Sequence, residues 1–257
     1  MPEGDTLVRT ADGLRPWLVG RPILAARAVV PGPRVEKVIG ATVTAVEAQG
    51  KNLLIRLSNG LVLRTHLRMH GSWHRYRPGE RWQRPPGRAR LVLEVEGSVA
   101  VCFDAPVVEL FEERAAGLHP ALSRLGPDLS KPPVDTTECL RRLRVPERAA
   151  MEIAVALLDQ RALAGIGNEI RNEVLWQRSV SPFTPVEQLR DEDLAALVAT
   201  AIEVLREGAA TGRRARHVYG RVGRPCQRCR TPISVVHQGT DLPRLTFWCP
   251  GCQRPPA

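Results

Sequence analysis

Apolar and polar residues alternate along the first half of the chain. Period-two or short apolar runs occupy residues 22–30 (PILAARAVV), 41–50 (ATVTAVEAQG), 52–59 (NLLIRLSN), 61–71 (LVLRTHLRMHG), 89–97 (ARLVLEVEG) and 98–111 (SVAVCFDAPVVELF). This is the pattern of half-buried strands. The junctions QGKN, SNG and EGS carry Gly or Asn where tight hairpins need them. Ahead of the strands, DTLVRTADGLRPWL predicts one short helix with Asp5 or Thr6 as its cap. Residues 75–88 (RYRPGERWQRPPGR) are too rich in Pro, Gly and charge to be anything but a loop.

The pattern changes after residue 112. HPALSRLGPDLSKPPVDTTE, with four prolines, predicts a segment between domains. Helical spacing follows. PERAAMEIAVALLDQ sets Ala150, Ile153, Ala154, Leu157 and Leu158 on one face, and GNEIRNEVLWQ sets Ile170, Val174 and Leu175 on another. VEQLRDEDLAALVATAIEVLREGA reads as one long helix, or a short one followed by a longer one. The RALAGIGN turn leaves backbone N–H groups at the start of a helix, where a phosphate can bind. At the C-terminal end, ISVVHQ and RLTFWC predict two antiparallel strands joined around QGTDLP. The expected class is α+β, with a β-rich part at 1–112, an interdomain segment at 113–146, a helical part at 147–215 and a last module at 216–257.

Charge singles out that last module. The chain carries 37 basic and 27 acidic residues, a formal +10. From Arg206 onward ten arginines face only Glu207 and Asp241, so +8 of the +10 lies there. That is the electrostatic footprint of a nucleic-acid-binding module. No apolar run has the length of a membrane span and no signal-peptide pattern opens the chain, so a cytoplasmic protein is expected.

Four of the six cysteines, Cys226, Cys229, Cys249 and Cys252, form two CxxC pairs. In a reducing compartment this spacing points to metal ligation rather than disulfides. Four thiolates suit one tetrahedral Zn²⁺, and a full cysteine set leaves no position for a reactive water, so the ion is structural. Cys102 and Cys139 are isolated.

The chain opens MPEGDT. Trimming of Met1 would leave Pro2 as a free secondary amine, with the Glu3 carboxylate beside it. An α-amino group, with a reference pKa near 8, is a better neutral nucleophile at cellular pH than a lysine at roughly 10.4.

Taken in order, PEG, QGKNLL, THLRMHG, LGPDL, LAGIGNEIRNEVLW, VYGRVGRPC and WCPGCQ span essentially the whole chain. This order resembles the formamidopyrimidine-DNA glycosylase and endonuclease VIII family of base-excision repair enzymes. The resemblance implies an N-terminal β-sandwich with flanking helices, a helix-two-turn-helix domain and a C-terminal zinc ribbon. It implies a bifunctional DNA glycosylase/AP lyase with Pro2 as nucleophile, Glu3 as its acid/base partner and Lys51 as the hairpin lysine beside a phosphate next to the lesion. His66 and Asn168 match further phosphate contacts, Met69 the residue that enters the duplex, and Arg244 the arginine of the zinc hairpin. Damaged or abasic DNA is the implied partner, with no nucleotide cofactor, no membrane and a monomer as the default state.

Several positions depart from the formamidopyrimidine branch. FDAPVVELF stands where that branch has Asp-x-Arg-Arg-Phe-Gly, Thr6 stands where it has a glutamate, and the segment before VYGR is short. The family's glutamate at Glu173 is retained; the three departures, with PEG at the terminus, tilt toward the endonuclease VIII-like branch and toward oxidised pyrimidines. Two other classes fit parts of the chain. A non-catalytic binder of damaged or abasic DNA would use the same basic ribbon. A zinc-ribbon accessory protein of transcription or the ribosome would explain only the C-terminus, leaving PEG, Lys51 and GIGNE without a role.

Overall fold

In a computed structural model, which describes residues 2–29, 32–240 and 243–254, the chain divides into two units. One comprises Pro2 with Thr6–Ser123, the other Glu3–Asp5 with the chain from Arg124 onward. Met1, whose removal would free the Pro2 amine, lies outside the described residues, as do Asp241 and Leu242 of the expected hairpin loop.

In the first unit the alternating runs close into two antiparallel four-stranded sheets. One has the order β2 (Val43–Gln49), β3 (Asn52–Leu57), β4 (Leu61–His66), β8 (Val107–Glu112). The other has the order β1 (Ile23–Ala28), β6 (Ala89–Val95), β7 (Ser98–Phe103), β5 (Ser72–Tyr76). Because side chains on a strand point alternately to its two faces, one face of each sheet is apolar. Val43, Val46, Leu53, Ile55 and Leu63 of the first sheet share one buried cluster with Ile23, Leu91, Leu93, Ala100 and Cys102 of the second. That is a β-sandwich core. The helix α1 (Gly4–Leu18) adds Leu7, Ala11, Leu14 and Leu18 from a single stripe. It is longer than the sequence reading expected, and Asp5 sits inside its first turn, where a carboxylate favours the helix dipole, instead of capping it.

One run read as a single strand stops short of its expected end, and another is split between the sheets. The run at 61–71 is a strand only as far as His66, as β4; the chain then turns through Arg68 at φ 46° and enters the other sheet after Gly71, as β5. A Cβ on Gly71 would sit 2.6 Å from the Leu67 carbonyl oxygen, so only glycine lets this turn close. The run at 98–111 breaks at Asp104, with φ 54°, into β7 and β8 of different sheets. Part of the expected loop at 75–88 belongs to β5, which ends at Tyr76. Alternation is local and continues across a corner, so it does not mark where a strand changes sheets.

The second unit is helical, with a two-stranded ribbon. α2 (Thr136–Leu143) starts on Asp135, whose side chain accepts the Glu138 N–H at 3.0 Å. Leu129, Cys139 and Leu143 lie in the same buried cluster as Ile170, Val174, Leu197 and Leu205. The chain from Arg124 on, expected as part of an interdomain segment, is therefore packed into this core. The expected helix over 146–160 is reduced to a 3-10 turn at Pro146–Arg148 and α3 (Ile153–Ala156). Its Ile153 and Ala154 N–H groups are drawn to the Thr184 and Pro182 carbonyls, at 2.8 and 3.2 Å. α4 (Asn168–Gln177) and α5 (Asp191–Thr211) follow, the latter preceded by a 3-10 turn at Val186–Gln188 and ended by Gly212 in the left-handed conformation. β9 (Ser234–Gln238) and β10 (Arg244–Trp248) form the antiparallel ribbon.

Candidate functional site

Glu3 is fully buried, and its carboxylate sits on the N-terminus of α4. It accepts N–H groups from Gly167, Glu169 and Ile170 at 3.1, 2.8 and 3.2 Å. These orphan donors, at which a phosphate can bind, are taken by a carboxylate of the chain itself, which the helix dipole favours equally. Gly167 makes the fit possible, since a Cβ there would lie 2.3 Å from Glu3 Cδ. The neighbouring Gly4 N–H donates to the Gly165 carbonyl at 2.9 Å, and Gly165 takes φ 99°. The GIGN turn is thus the seat of Glu3, and Pro2 precedes that residue by one peptide bond.

α4 looks only weakly amphipathic, and the structure gives the reason. Asn168, Glu169, Arg171, Asn172 and Glu173 are as buried as its apolar residues, each with a partner. Asn168 Nδ2 donates to the Leu245 carbonyl at 2.9 Å, and Asn172 Oδ1 accepts the Phe247 N–H at 2.8 Å. Arg171 donates to the Ala154 carbonyl at 2.8 Å and to Thr246 Oγ1 at 2.7 Å. Burial, then the charge of Arg244, brings the Arg171 guanidinium down to about 10, while Glu3 opposes the shift. Polar side chains of one helix thus hold the ribbon strand that begins with Arg244. At the other end of α4, Arg228 stacks on Trp176, 3.9 Å from the ring centroid, and donates to the Trp176 and Gln177 carbonyls.

The four paired cysteines converge, with their Sγ atoms all within 4.8 Å of one another. The Cys229–Cys249 and Cys226–Cys252 separations are 3.3 and 3.9 Å. Thiolates about 2.3 Å from one tetrahedral ion would stand about 3.8 Å apart, so the set fits a single metal ion.

In the first unit, Lys51, His66 and Met69 share one end of the β2–β3–β4 sheet. Gly50, at φ 58°, turns the β2–β3 hairpin at the half-buried Lys51, and the register sets Asn52 opposite His66. Asn52 is buried, donating to the Gln49 carbonyl and accepting from Arg64 Nε, both at 2.9 Å. His66 is pushed down to about 4, first by burial and then by Lys51, Arg64 and Arg68. Its Nδ1 accepts the Arg68 N–H at 3.2 Å, so the neutral ring carries its proton on Nε2. Met69 is half exposed on the turn that follows.

Known proteins match along nearly the whole length. Residues 1–106 match the formamidopyrimidine-DNA glycosylase N-terminal domain, and residues 125–219 match the H2TH domain of the same glycosylase. The chain is 40% identical over 268 residues to "Probable endonuclease 8 2" of Streptomyces coelicolor, covering 100% of this chain and 95% of that one. It is 33% identical to Escherichia coli endonuclease 8, covering 98% and 100%.

The chain belongs to the formamidopyrimidine-DNA glycosylase and endonuclease VIII family. It is a member of a family of DNA glycosylases and AP lyases. Solved structures share the fold. Lactococcus lactis Fpg (MutM) with DNA containing an oxidized pyrimidine superposes with a TM-score of 0.84 at 23% identity, covering 98% of this chain and 100% of that one. The same enzyme with abasic-site DNA gives 0.83 at 22%, covering 98% and 99%. Among the described residues, no helix is long and apolar enough to cross a membrane.

For this family member the sequence reading passed over Arg171, Asn172, Arg214 and Arg216. A signal for the first two was present, since Asn168, Arg171 and Asn172 recur at i, i+3 and i+4 and so share one helix face. Arg214 and Arg216 carried no such signal in the arginine-rich GRRARHV. Within that segment Arg216 grips Glu169 at 2.9 and 3.0 Å and Arg214 turns inward.

Proposed function

We propose that the chain removes oxidised bases from DNA, pyrimidines in preference, through a Schiff base on Pro2, and cuts the strand by β,δ-elimination. One observation supports the reading: Glu3, directly after the proposed nucleophile, is fully buried, accepts three N–H groups at the start of α4 and has the Arg214 guanidinium 3.3 Å away. The Pro2 nitrogen attacks C1′ as the glycosidic bond breaks and the base departs. Glu3 handles the proton as the C1′–O4′ bond opens, giving a C1′ iminium and a 4′-hydroxyl. The iminium draws the electron pair of a C2′–H bond as that proton leaves, and the 3′ phosphate departs. A second elimination releases the 5′ phosphate, and hydrolysis frees Pro2. An amine is required because only it becomes an electron sink on attachment.

Lys51, His66, Asn168 and Arg244 would hold phosphates around the extruded nucleotide, and Met69 would enter the duplex beside it. For His66 the Nε2–H supplies the donor. Cys226, Cys229, Cys249 and Cys252 would hold one structural Zn²⁺, an ion that an all-thiolate tetrahedral set suits. The bacterial relatives support a bacterial cytoplasmic protein that meets the nucleoid through DNA.

The preference for pyrimidines rests on the segment after α5. Arg216 is pinned to Glu169, and Glu173 accepts the N–H groups of His217, Val218 and Tyr219 at 2.8, 3.1 and 2.8 Å. So short and tethered a segment is unsuited to folding over a flipped purine. Oxidised pyrimidines stack poorly and cost less to extrude, so selection does not need such a cover.

Borohydride reduction with abasic-site DNA should give a covalent adduct mapped to Pro2. No adduct at high protein concentration would favour a non-catalytic binder of damaged DNA. Under enzyme excess, thymine glycol and dihydrouracil should be excised faster than 8-oxoguanine opposite cytosine. The reverse order would remove the pyrimidine preference and leave the Pro2 chemistry intact.

A further inference from the structure

Three buried carboxylates converge on one guanidinium. Arg214 follows the Gly212 cap of α5, and its side chain is only 12% exposed. Its Nη1 lies 3.3 Å from Glu3 Oε2, and its Nε lies 3.2 Å from Asp5 Oδ2 and 3.6 Å from Glu169 Oε1. Glu169 already has a fork to Arg216, so Arg214 serves chiefly Glu3 and Asp5.

The surroundings are shaped for this arrangement. A Cβ on Gly208 of α5 would lie 2.2 Å from Asp5 Oδ2, so glycine there is what admits the Asp5 carboxylate. Among the described residues, the charged groups that face Glu3 include Asp5 on α1, Glu169 and Arg171 on α4, and Arg214. Arg171 is committed to Ala154 and Thr246, whereas Arg214 is in ion-pair contact with Glu3. Buried anions without a counter-charge are costly, and the five donors of a guanidinium, spread over a rigid planar fork, can reach two carboxylates at once.

We propose that Arg214, anchored by Asp5, is a positioning residue for Glu3. It fixes the place of that carboxylate and supplies its counter-charge, so proton transfer at Glu3 is governed by Arg214 as well as by the N-terminus of α4. The inference rests on the proton-handling role given to Glu3 above.

The test uses the full metal-loaded chain with carboxyl-13C glutamate, the Glu3 resonance being assigned with E3Q. Removing a cation in contact with a carboxylate raises its titration midpoint by roughly 1–3 pH units. R214Q should move the Glu3 midpoint upward by that amount, and R214K in the same direction by less. The limb of the single-turnover excision profile that follows Glu3 should shift with it. An unchanged Glu3 midpoint in both variants overturns the proposal. So does a fall in rate at every pH with the same profile, or failure of both variants to fold, which would make Arg214 a strap for its own segment. If only R214Q fails to fold, R214K decides. The titration needs neither DNA nor turnover, so a wild-type chain that gives no borohydride adduct would sink the glycosylase reading and leave the Arg214 result legible.

Discussion

The side-chain amide of Asn168 donates to the Leu245 carbonyl across 2.9 Å, tying the first residue of α4 to the residue after Arg244. The start of the helix that seats Glu3 and the start of the ribbon strand are one construction, with Asn172 and Arg171 repeating the link a turn further on. Disturbing the ribbon should therefore be felt at α4.

For Asn168→Ala, loss of one partly buried hydrogen bond should cost about 1 kcal/mol of stability. Affinity for abasic DNA should fall by more than this, because the amide is also a proposed phosphate donor. Thermal unfolding and equilibrium titration measure the two. An affinity loss no greater than the loss of stability would confine Asn168 to holding the ribbon.

Arg244→Ala should keep the metal and the fold, since the side chain is exposed. DNA affinity should drop, and the slope of log K against log salt should flatten by roughly one unit for a single lost phosphate contact. An unchanged slope would take Arg244 out of the interface.

Cys249→Ser should release one equivalent of zinc and weaken binding to damaged and undamaged duplexes together. Cys249 is fully buried beside Phe247, whose N–H is held by Asn172, so disorder there reaches the docked strand. Metal analysis with binding measurements reads both. Zinc loss at constant affinity would show that the ribbon is not part of the DNA surface.

Glu173 accepts three backbone N–H groups and sits 3.0 Å from His217 Nδ1. Glu173→Ala leaves those backbone donors buried without a partner, at a cost of about 3 kcal/mol or more. Limited proteolysis should open the segment between α5 and the ribbon first. Cleavage elsewhere at the same rate would show that Glu173 is not its anchor.

His66 gives a pH signature. Its folded value of about 4 lies below the 6.5 of a free ring, so the folded chain binds fewer protons than the unfolded one across that window. The stabilisation from neutral His66 is complete above pH 6.5 and is lost as pH falls toward 4. His66→Gln should flatten this part of the stability profile. A bound phosphate near Nε2 favours the protonated ring, so DNA binding near pH 5 should take up a proton in the wild type but not in the variant. Calorimetry in buffers of different ionisation heat measures it.

The sequence by itself determined the strands, the two cysteine pairs, the basic last module and the order of motifs that names the family. Each of these is written in a local signal, a period of two, a spacing of CxxC or a run of arginines, and such signals survive without knowing what packs on what. It did not determine where strands change sheets, because Arg68 and Asp104 leave the alternation intact while the backbone turns through positive φ. Nor did it decide the lengths of α2 and α3, which follow from core packing of Cys139 and Leu143 and from carbonyls of residues 182 and 184. The site shows the same division. PEG and GIGNE could each be picked out, but the N–H donors at one and the acceptor at the other are about 165 residues apart in sequence, and only folding makes Glu3 their occupant. Arg214 is the extreme case: in sequence it is one arginine among ten, and its meaning comes entirely from the buried carboxylates that tertiary structure gathers around it.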